Sequence, residues 1–149
     1  MAEEAAREAS FRAITALKAR YFRCMDTKDW AGLEAVFTAD LIADFRDATP
    51  VHQPEMLIHG ARPYLATLAP MLQQVVTVHH GHMPEIAIED ADHATGIWAM
   101  EDWLWPGPES DLPFRQLHGW GHYHEHYRRE GGDWKIAQIR LTRLHVETQ

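Results

Sequence analysis

In the first part of the chain, the apolar positions Phe11, Ile14, Leu17, Tyr21 and Met25 recur at intervals of three and four. Arg7, Glu8, Arg12 and Lys18 take other directions, so the period predicts one long amphipathic helix. A shorter helix is expected around Trp30–Phe37, offering Trp30, Leu33, Val36 and Phe37 for packing. LIADFRD then reads as a short strand from its β-branched and aromatic character, and TPVHQPEMLIHG as a loop. Ala61–Gln74 returns to helical spacing, with Tyr64, Leu65, Leu68, Met71 and Leu72 as its apolar set. Pro63 fits a first turn, whereas Pro70 should bend or interrupt the later part of the helix.

From Val75 the pattern changes to that of strands. VVTVHH, PEIAIE, ATGIWAMEDWLW, LHGWGHYHEHYRR and DWKIAQIRLTRLHV are extended candidates, separated by the turns DAD and EGGD and the longer connection PGPESDLP. Helices followed by a strand-rich half predict an α+β domain: a curved, mainly antiparallel sheet packed by N-terminal helices. One domain over 1–149 is expected, with short flexible termini. No internal repeat or low-complexity tract interrupts it.

Composition narrows the function classes. With 149 residues, 46% hydrophobic and 24% charged, the chain is an ordinary globular one, long enough for a substantial core. A formal net charge of −8 argues against a phosphate-backbone binder, so no nucleic-acid partner is expected. The lone Cys24 excludes an internal disulfide framework. No run of 18 apolar residues predicts a membrane span, and MAEEAAREASFRAITALKARYF lacks the apolar core of a signal peptide. A cytoplasmic location is the resulting expectation.

Candidate chemistry begins with polar residues among apolar ones. Alternation in the last strand puts Arg143 on a face with Ile139, Leu141 and His145, either entering a partly apolar cavity or pairing at a sheet edge. In WAMEDWLW, Asp102 shares a face with Trp98, Met100 and Leu104, while Glu101 lies with Ile97, Ala99, Trp103 and Trp105. Both faces are mostly apolar, so periodicity leaves open which carboxylate is covered. Tyr21 continues the helical stripe and reads equally as a core tyrosine; Asp26 reads equally as a cap. In an unbroken helix the two diverge by about 140°, so convergence requires a pocket between them or an earlier helix end. Among the 11 histidines, His79-x-x-His82 and the alternating His122, His124 and His126 are weak metal signals. No CxxC or HExxH accompanies them. No metal site is expected.

Three segments together, KARYFRCMDTKDWAGLEAVF, TVHHGHMPEIAIEDADHATGIWAMED and HYHEHYRREGGDWKIAQIRLTRL, resemble the SnoaL-like division of the nuclear-transport-factor-2-like (NTF2-like) superfamily over nearly the whole chain. The similarity is greatest to the bile-acid 7α-dehydratase branch. It implies a cone-like fold around a hydrophobic small-molecule pocket. It also implies Tyr21, Asp26, His79, Asp102 and Arg143 as the catalytic set, with His82, Trp98, Met100, Trp120 and Tyr123 as pocket candidates. His80 and the HYHEHY histidines depart from the family pattern.

In that reading the protein is a cofactor-independent dehydratase, a lyase acting on a hydrophobic, hydroxylated, carbonyl-activated compound such as a steroid-like or polycyclic one. His79 removes a C–H proton, Asp26 holds the other imidazole nitrogen, and Tyr21 polarises an oxygen or protonates the departing group. Arg143 stabilises oxyanion charge and Asp102 positions a proton-bearing group. The alternatives are a cofactor-independent double-bond isomerase and a noncatalytic small-molecule-binding domain. Further copies of the chain are the expected protein partners, as a dimer or trimer.

Overall fold

The computed structural model describes residues 1–149. Helix α1 runs Ala2–Thr27 and buries Ser10, Ile14, Leu17, Lys18, Tyr21, Cys24 and Met25. Two residues depart from the expected stripe. Phe11 is 40% exposed, because residues 1–9 are exposed and continuous burial starts only near Ile14. Lys18, expected on the polar side, is fully buried. It lies four residues after Ile14 and three before Tyr21, so helical geometry places it on the apolar face.

The helix ends where Lys28 takes a left-handed conformation (φ 60°) and the Asp29 N–H reaches the Cys24 carbonyl at 2.9 Å. Asp29 then caps α2 (Trp30–Ala35) by accepting from the Gly32 N–H at 2.9 Å. This second helix is shorter than its apolar pattern predicts. Phe37 already opens strand β1 (Phe37–Asp44), which extends LIADFRD backwards because Phe37 registers with Ile136 of the last strand. The proline-containing loop holds a 3-10 turn at Pro54–Met56 and a short strand β2 (Leu57–His59). Helix α3 (Ala61–Leu72) keeps Pro63 in its first turn and ends two residues after Pro70.

Four long strands complete the chain: β3 (Val75–Ile88), β4 (His93–Pro106), β5 (Leu117–Glu130) and β6 (Asp133–Thr148). VVTVHH and PEIAIE form one strand because a bulge, His82 and Met83 opposite Ala99, absorbs the break between Gly81 and Pro84. Pro84 is tolerable there, since β3 is an edge strand. EGGD makes the β5–β6 turn, with Gly131 and Gly132 both at positive φ.

The sheet order is β2-β1-β6-β5-β4-β3, and β1 runs parallel to β6 while the other neighbours are antiparallel. The expectation of a curved sheet forming a cone is therefore corrected. The sheet is mixed, open at β2 and β3, and not strongly curved. Its parallel pair arises because the chain enters β1 from the helical layer and reaches β3 at the far edge only after crossing over through α3. Enclosure of internal space falls to α1, α3 and the segment around residues 45–56, not to sheet curvature.

A cluster of 25 buried apolar residues joins α1, α2 and α3 to the inner sheet face. Ile14, Leu33, Leu41 and Ile136 are fully covered, each worth about 1.5–3 kcal/mol of burial. Under α1 lies a buried ion pair between Lys18 and Glu125. The Lys18 ammonium also sits over the rings of Tyr123 (3.7 Å) and Tyr21 (3.9 Å). Burial pushes the Lys18 pKa down to about 8, against the opposing pull of Glu125. No helix is long and apolar enough to cross a membrane.

Candidate active site

The inner face of β3–β6 and the ends of α1 and α3 enclose a cavity of about 140 Å³. Of the 20 residues lining it, 15 are hydrophobic, among them Met25, Phe45, Leu68, Phe114 and Leu141. The other five are Thr49, Gln53, His79, Asp102 and Arg143, and the hydroxyls of Tyr21, Tyr64 and Tyr123 add polar atoms to the apolar wall. A greasy wall with a few converging polar groups is the usual form of a small-molecule site.

His79 is placed by both of its neighbours. Its Nδ1 is 2.6 Å from Asp26 Oδ1, and its backbone N–H donates to Asp26 Oδ2 at 2.9 Å. Thr77 Oγ1 donates to Asp26 Oδ1 at 2.9 Å. Burial opposes ionisation of Asp26, but the donors from His79 and Thr77 outweigh it and hold the carboxyl below its ordinary pKa. An ionised carboxylate only accepts, so His79 Nδ1 carries the hydrogen, and in the neutral imidazole Nε2 bears the lone pair. Phe22 stacks on the imidazole with centroids 6.3 Å apart. A Cβ at Gly81 would lie 2.6 Å from the Phe22 ring, so the glycine of HHGH makes room for that packing.

Asp26 itself is not in the cavity wall. The helix continues past it to Thr27, so Tyr21 and Asp26 diverge as helical geometry demands. His79 is held by Asp26 from behind and lines the same cavity as Tyr21.

Nε2 of His79 is 3.9 Å from Asp102 Oδ2. Asp102 in turn takes two bonds from Arg143, Nη1 to Oδ1 at 2.7 Å and Nη2 to Oδ2 at 3.0 Å. Arg143 Nε donates to the Ala48 carbonyl at 2.8 Å, tying the 45–56 segment to the pair. Arg143 reaches Asp102 across β5 because Gly119 has no side chain: a Cβ there would stand 2.4 Å from Nη1. Periodicity left Asp102 and Glu101 undecided; Asp102 is the covered one, 3% exposed. Glu101 lies on the opposite sheet face, 3.0 Å from His118 Nε2 and within 4 Å of His80 and His82.

Tyr21 and Tyr123 are almost fully buried, and burial drives both phenols well above their ordinary pKa. Each keeps its proton at neutral pH, as a donor must.

Four expected pocket positions lie outside the cavity wall. Trp98 and Met100 are on the inner face but sealed within the core: Trp98 Nε1 donates to Tyr127 Oη at 2.8 Å, and Met100 Sδ is 3.7 Å from Arg143 Nη1. His82 and Trp120 are on the outer face, Trp120 between the rings of His118 and His145. His145, which simple alternation puts beside Arg143, faces outward because Leu144 is an extra residue in a bulge opposite Trp120 and Gly121. Tyr123 alone of the five lines the cavity. His122, His124 and His126 follow the outer face of β5, and no three His, Cys, Asp or Glu side chains are placed to hold a metal ion.

Lys18, Lys28, Thr77, Phe22 and Gly119 surround the site but carry no motif. Only Lys18 left a signal, its spacing of four residues after Ile14 and three before Tyr21, both buried.

The mixed six-stranded sheet and the N-terminal helices are those of NTF2-like α+β domains. A candidate scytalone dehydratase from Novosphingobium aromaticivorans DSM 12444 superposes with a TM-score of 0.81 at 17% identity, covering 98% of this chain and 91% of that one. A hexachlorocyclohexane dehydrochlorinase from Novosphingobium barchaimii LL02 gives 0.75 at 15% identity, covering 98% and 94%. A protein from Kribbella flavida gives 0.81 at 24% identity, covering 95% of each. The SnoaL-like domain family matches residues 7–140, and the chain belongs to that family.

Proposed function

We propose that this protein is a cofactor-independent dehydratase that removes water from a hydrophobic, hydroxylated, carbonyl-activated compound. The observation carrying this reading is the His79–Asp26 pair, set so that the free Nε2 lone pair meets an apolar cavity. His79 Nε2 takes the C–H proton made acidic by the carbonyl, and the imidazolium is stabilised by Asp26 on its other nitrogen. The electron pair moves into the enolate and then expels the β-hydroxyl. Tyr21, a protonated phenol at neutral pH, donates to the substrate oxygen or to the leaving group. Arg143, neutralised by Asp102, presents a fixed dipole to developing oxyanion charge, and Asp102 orients a proton-bearing substituent.

Two structures of similar fold are named for eliminations, one for a dehydratase and one for a dehydrochlorinase. Both reaction types begin by abstracting a proton and end by losing a leaving group, which favours elimination over isomerisation. Cavity size bears on substrate choice. About 140 Å³ seats one ring snugly, so a steroid-like or other polycyclic substrate extends beyond the cavity.

The test incubates purified protein with β-hydroxy ketones of one to four fused rings and tracks loss of water by mass spectrometry. Water loss is expected, falling about 10²- to 10⁴-fold in His79→Gln. A product of unchanged mass with a moved double bond would assign isomerisation instead. Binding without any turnover across the panel would overturn the enzymatic reading.

A further inference from the structure

Lys28 is the only residue other than glycine with a positive φ. It occupies the helix-ending position where glycine is the unstrained choice. Its half-buried ammonium turns back toward the site, donating to Thr77 Oγ1 at 2.8 Å and to the Met25 carbonyl at 3.3 Å. An ammonium has donors only, so Thr77 Oγ1 must accept from Lys28 and spend its own hydrogen on Asp26 Oδ1. Donation therefore runs from Lys28 to Thr77 to Asp26, and His79 donates to the same carboxylate from the other side. Each link is within hydrogen-bond distance, at 2.8, 2.9 and 2.6 Å.

We propose that Lys28, acting through Thr77, is a positioning residue for the His79–Asp26 pair: it fixes the donor into Asp26 and holds down the basicity of the imidazole. This rests on the proposed role of His79 as base and adds what tunes it. The charged groups facing His79 are Asp26 and Lys28 from the end of α1, Asp102 from β4, and Arg143 from β6 through Asp102; Lys18, paired with Glu125, lies behind Phe22, 4.9 Å from that ring. Tyr21 and Tyr123 complete the surroundings as neutral phenols. Lys28 is the cation hydrogen-bonded into the Asp26 side, as Arg143 is into the Asp102 side. Removing it makes imidazolium easier to form. Releasing the Thr77 hydroxyl makes Asp26 a stronger partner for imidazolium, which acts in the same direction. Burial depresses the Lys28 pKa and Asp26 opposes that, as expected for an ammonium held against the site rather than in water.

The test is an NMR titration of the ¹⁵N-labelled His79 ring in wild type, Lys28→Met, Lys28→Gly, Thr77→Val and Thr77→Ser, with thermal unfolding alongside. The His79 midpoint is expected to rise by roughly 0.4 to 1.5 pH units in both Lys28 variants, the effect of one charge about 8 Å away at effective dielectrics of about 80 and about 20. Lys28→Gly relieves the backbone, so it keeps or gains stability while the midpoint still moves. Thr77→Val raises the midpoint and Thr77→Ser restores it. Unchanged midpoints in both Lys28 variants would overturn the proposal and reduce Lys28 to a helix stop; an unchanged midpoint in Thr77→Val would overturn the relay. The titration needs no substrate, so its result is independent of whether His79→Gln abolishes water loss.

Discussion

Replacing Lys18 with Met tests the buried ion pair beneath the cavity. Both side chains of the pair are 0% exposed, and Glu125 accepts from only two partners, Lys18 and the Tyr127 hydroxyl. Methionine nearly preserves the volume, so the cavity cost is small and the loss is electrostatic. Removing one member of a buried pair costs about 3–5 kcal/mol, because the other is left charged in low dielectric. For 149 residues an unfolding entropy of about 2.1 cal/mol/K per residue makes that a drop of about 10–16 °C in Tm. Lys18→Met/Glu125→Gln removes the stranded charge and leaves an acceptor for Tyr127, so it should recover more than half of the loss. Urea unfolding monitored by tryptophan fluorescence and far-UV circular dichroism measures both variants. A single variant within about 1 kcal/mol of wild type, or a double variant no better than the single, would refute the assignment of Lys18 and Glu125 as a charged buried pair.

The site itself supplies two further expected outcomes. The folded-state pKa of Asp26 is lowered from 3.8, so its contribution to stability is complete above that value and is lost as pH falls through the lower folded value. Asp26→Asn should therefore flatten the dependence of unfolding free energy on pH in that acid range, and parallel wild-type and variant curves in urea titrations would contradict it. In Gly119→Ala the new methyl stands 2.4 Å from Arg143 Nη1 and 2.8 Å from Asp102 Oδ1. We expect about 1–3 kcal/mol of destabilisation and a larger relative fall in kcat as the guanidinium is displaced, read by thermal unfolding and turnover on the same sample; wild-type kcat would show that the Arg143–Asp102 geometry is not required.

Local patterns were enough for α1, α3 and the strand-rich second half, because each depends on spacing within a few residues; they missed β2, carried α2 on to Phe37 and split β3 in two. The stripe through Ile14, Leu17, Tyr21 and Met25 specifies α1, and EGGD specifies the β5–β6 turn, whatever surrounds them. Motif resemblance likewise singled out Tyr21, His79, Asp102 and Arg143, which line one cavity, and Asp26, which supports His79 from behind. Facing was less legible where a strand departs from strict alternation. One extra residue at Leu144 turns His145 outward, and nothing in LTRLHV marks that bulge. Trp98, Met100 and Asp102 share a face by alternation, yet only Asp102 meets the cavity, since the other two are sealed within the core.

What the sequence by itself determined is most of the order of elements, β2 and the single β3 excepted, and the chemical groups available to them, because both are written in spacing and residue type. What only the tertiary structure decided is which groups meet. Lys18 finds Glu125 across 107 residues, Thr77 joins Lys28 to Asp26, and Arg143 passes over Gly119 to Asp102. The parallel β1–β6 pair and the open, weakly curved sheet belong to the same category. Such contacts depend on how distant segments are brought together and on the cost of leaving a buried charge or donor unpaired, neither of which a local pattern records.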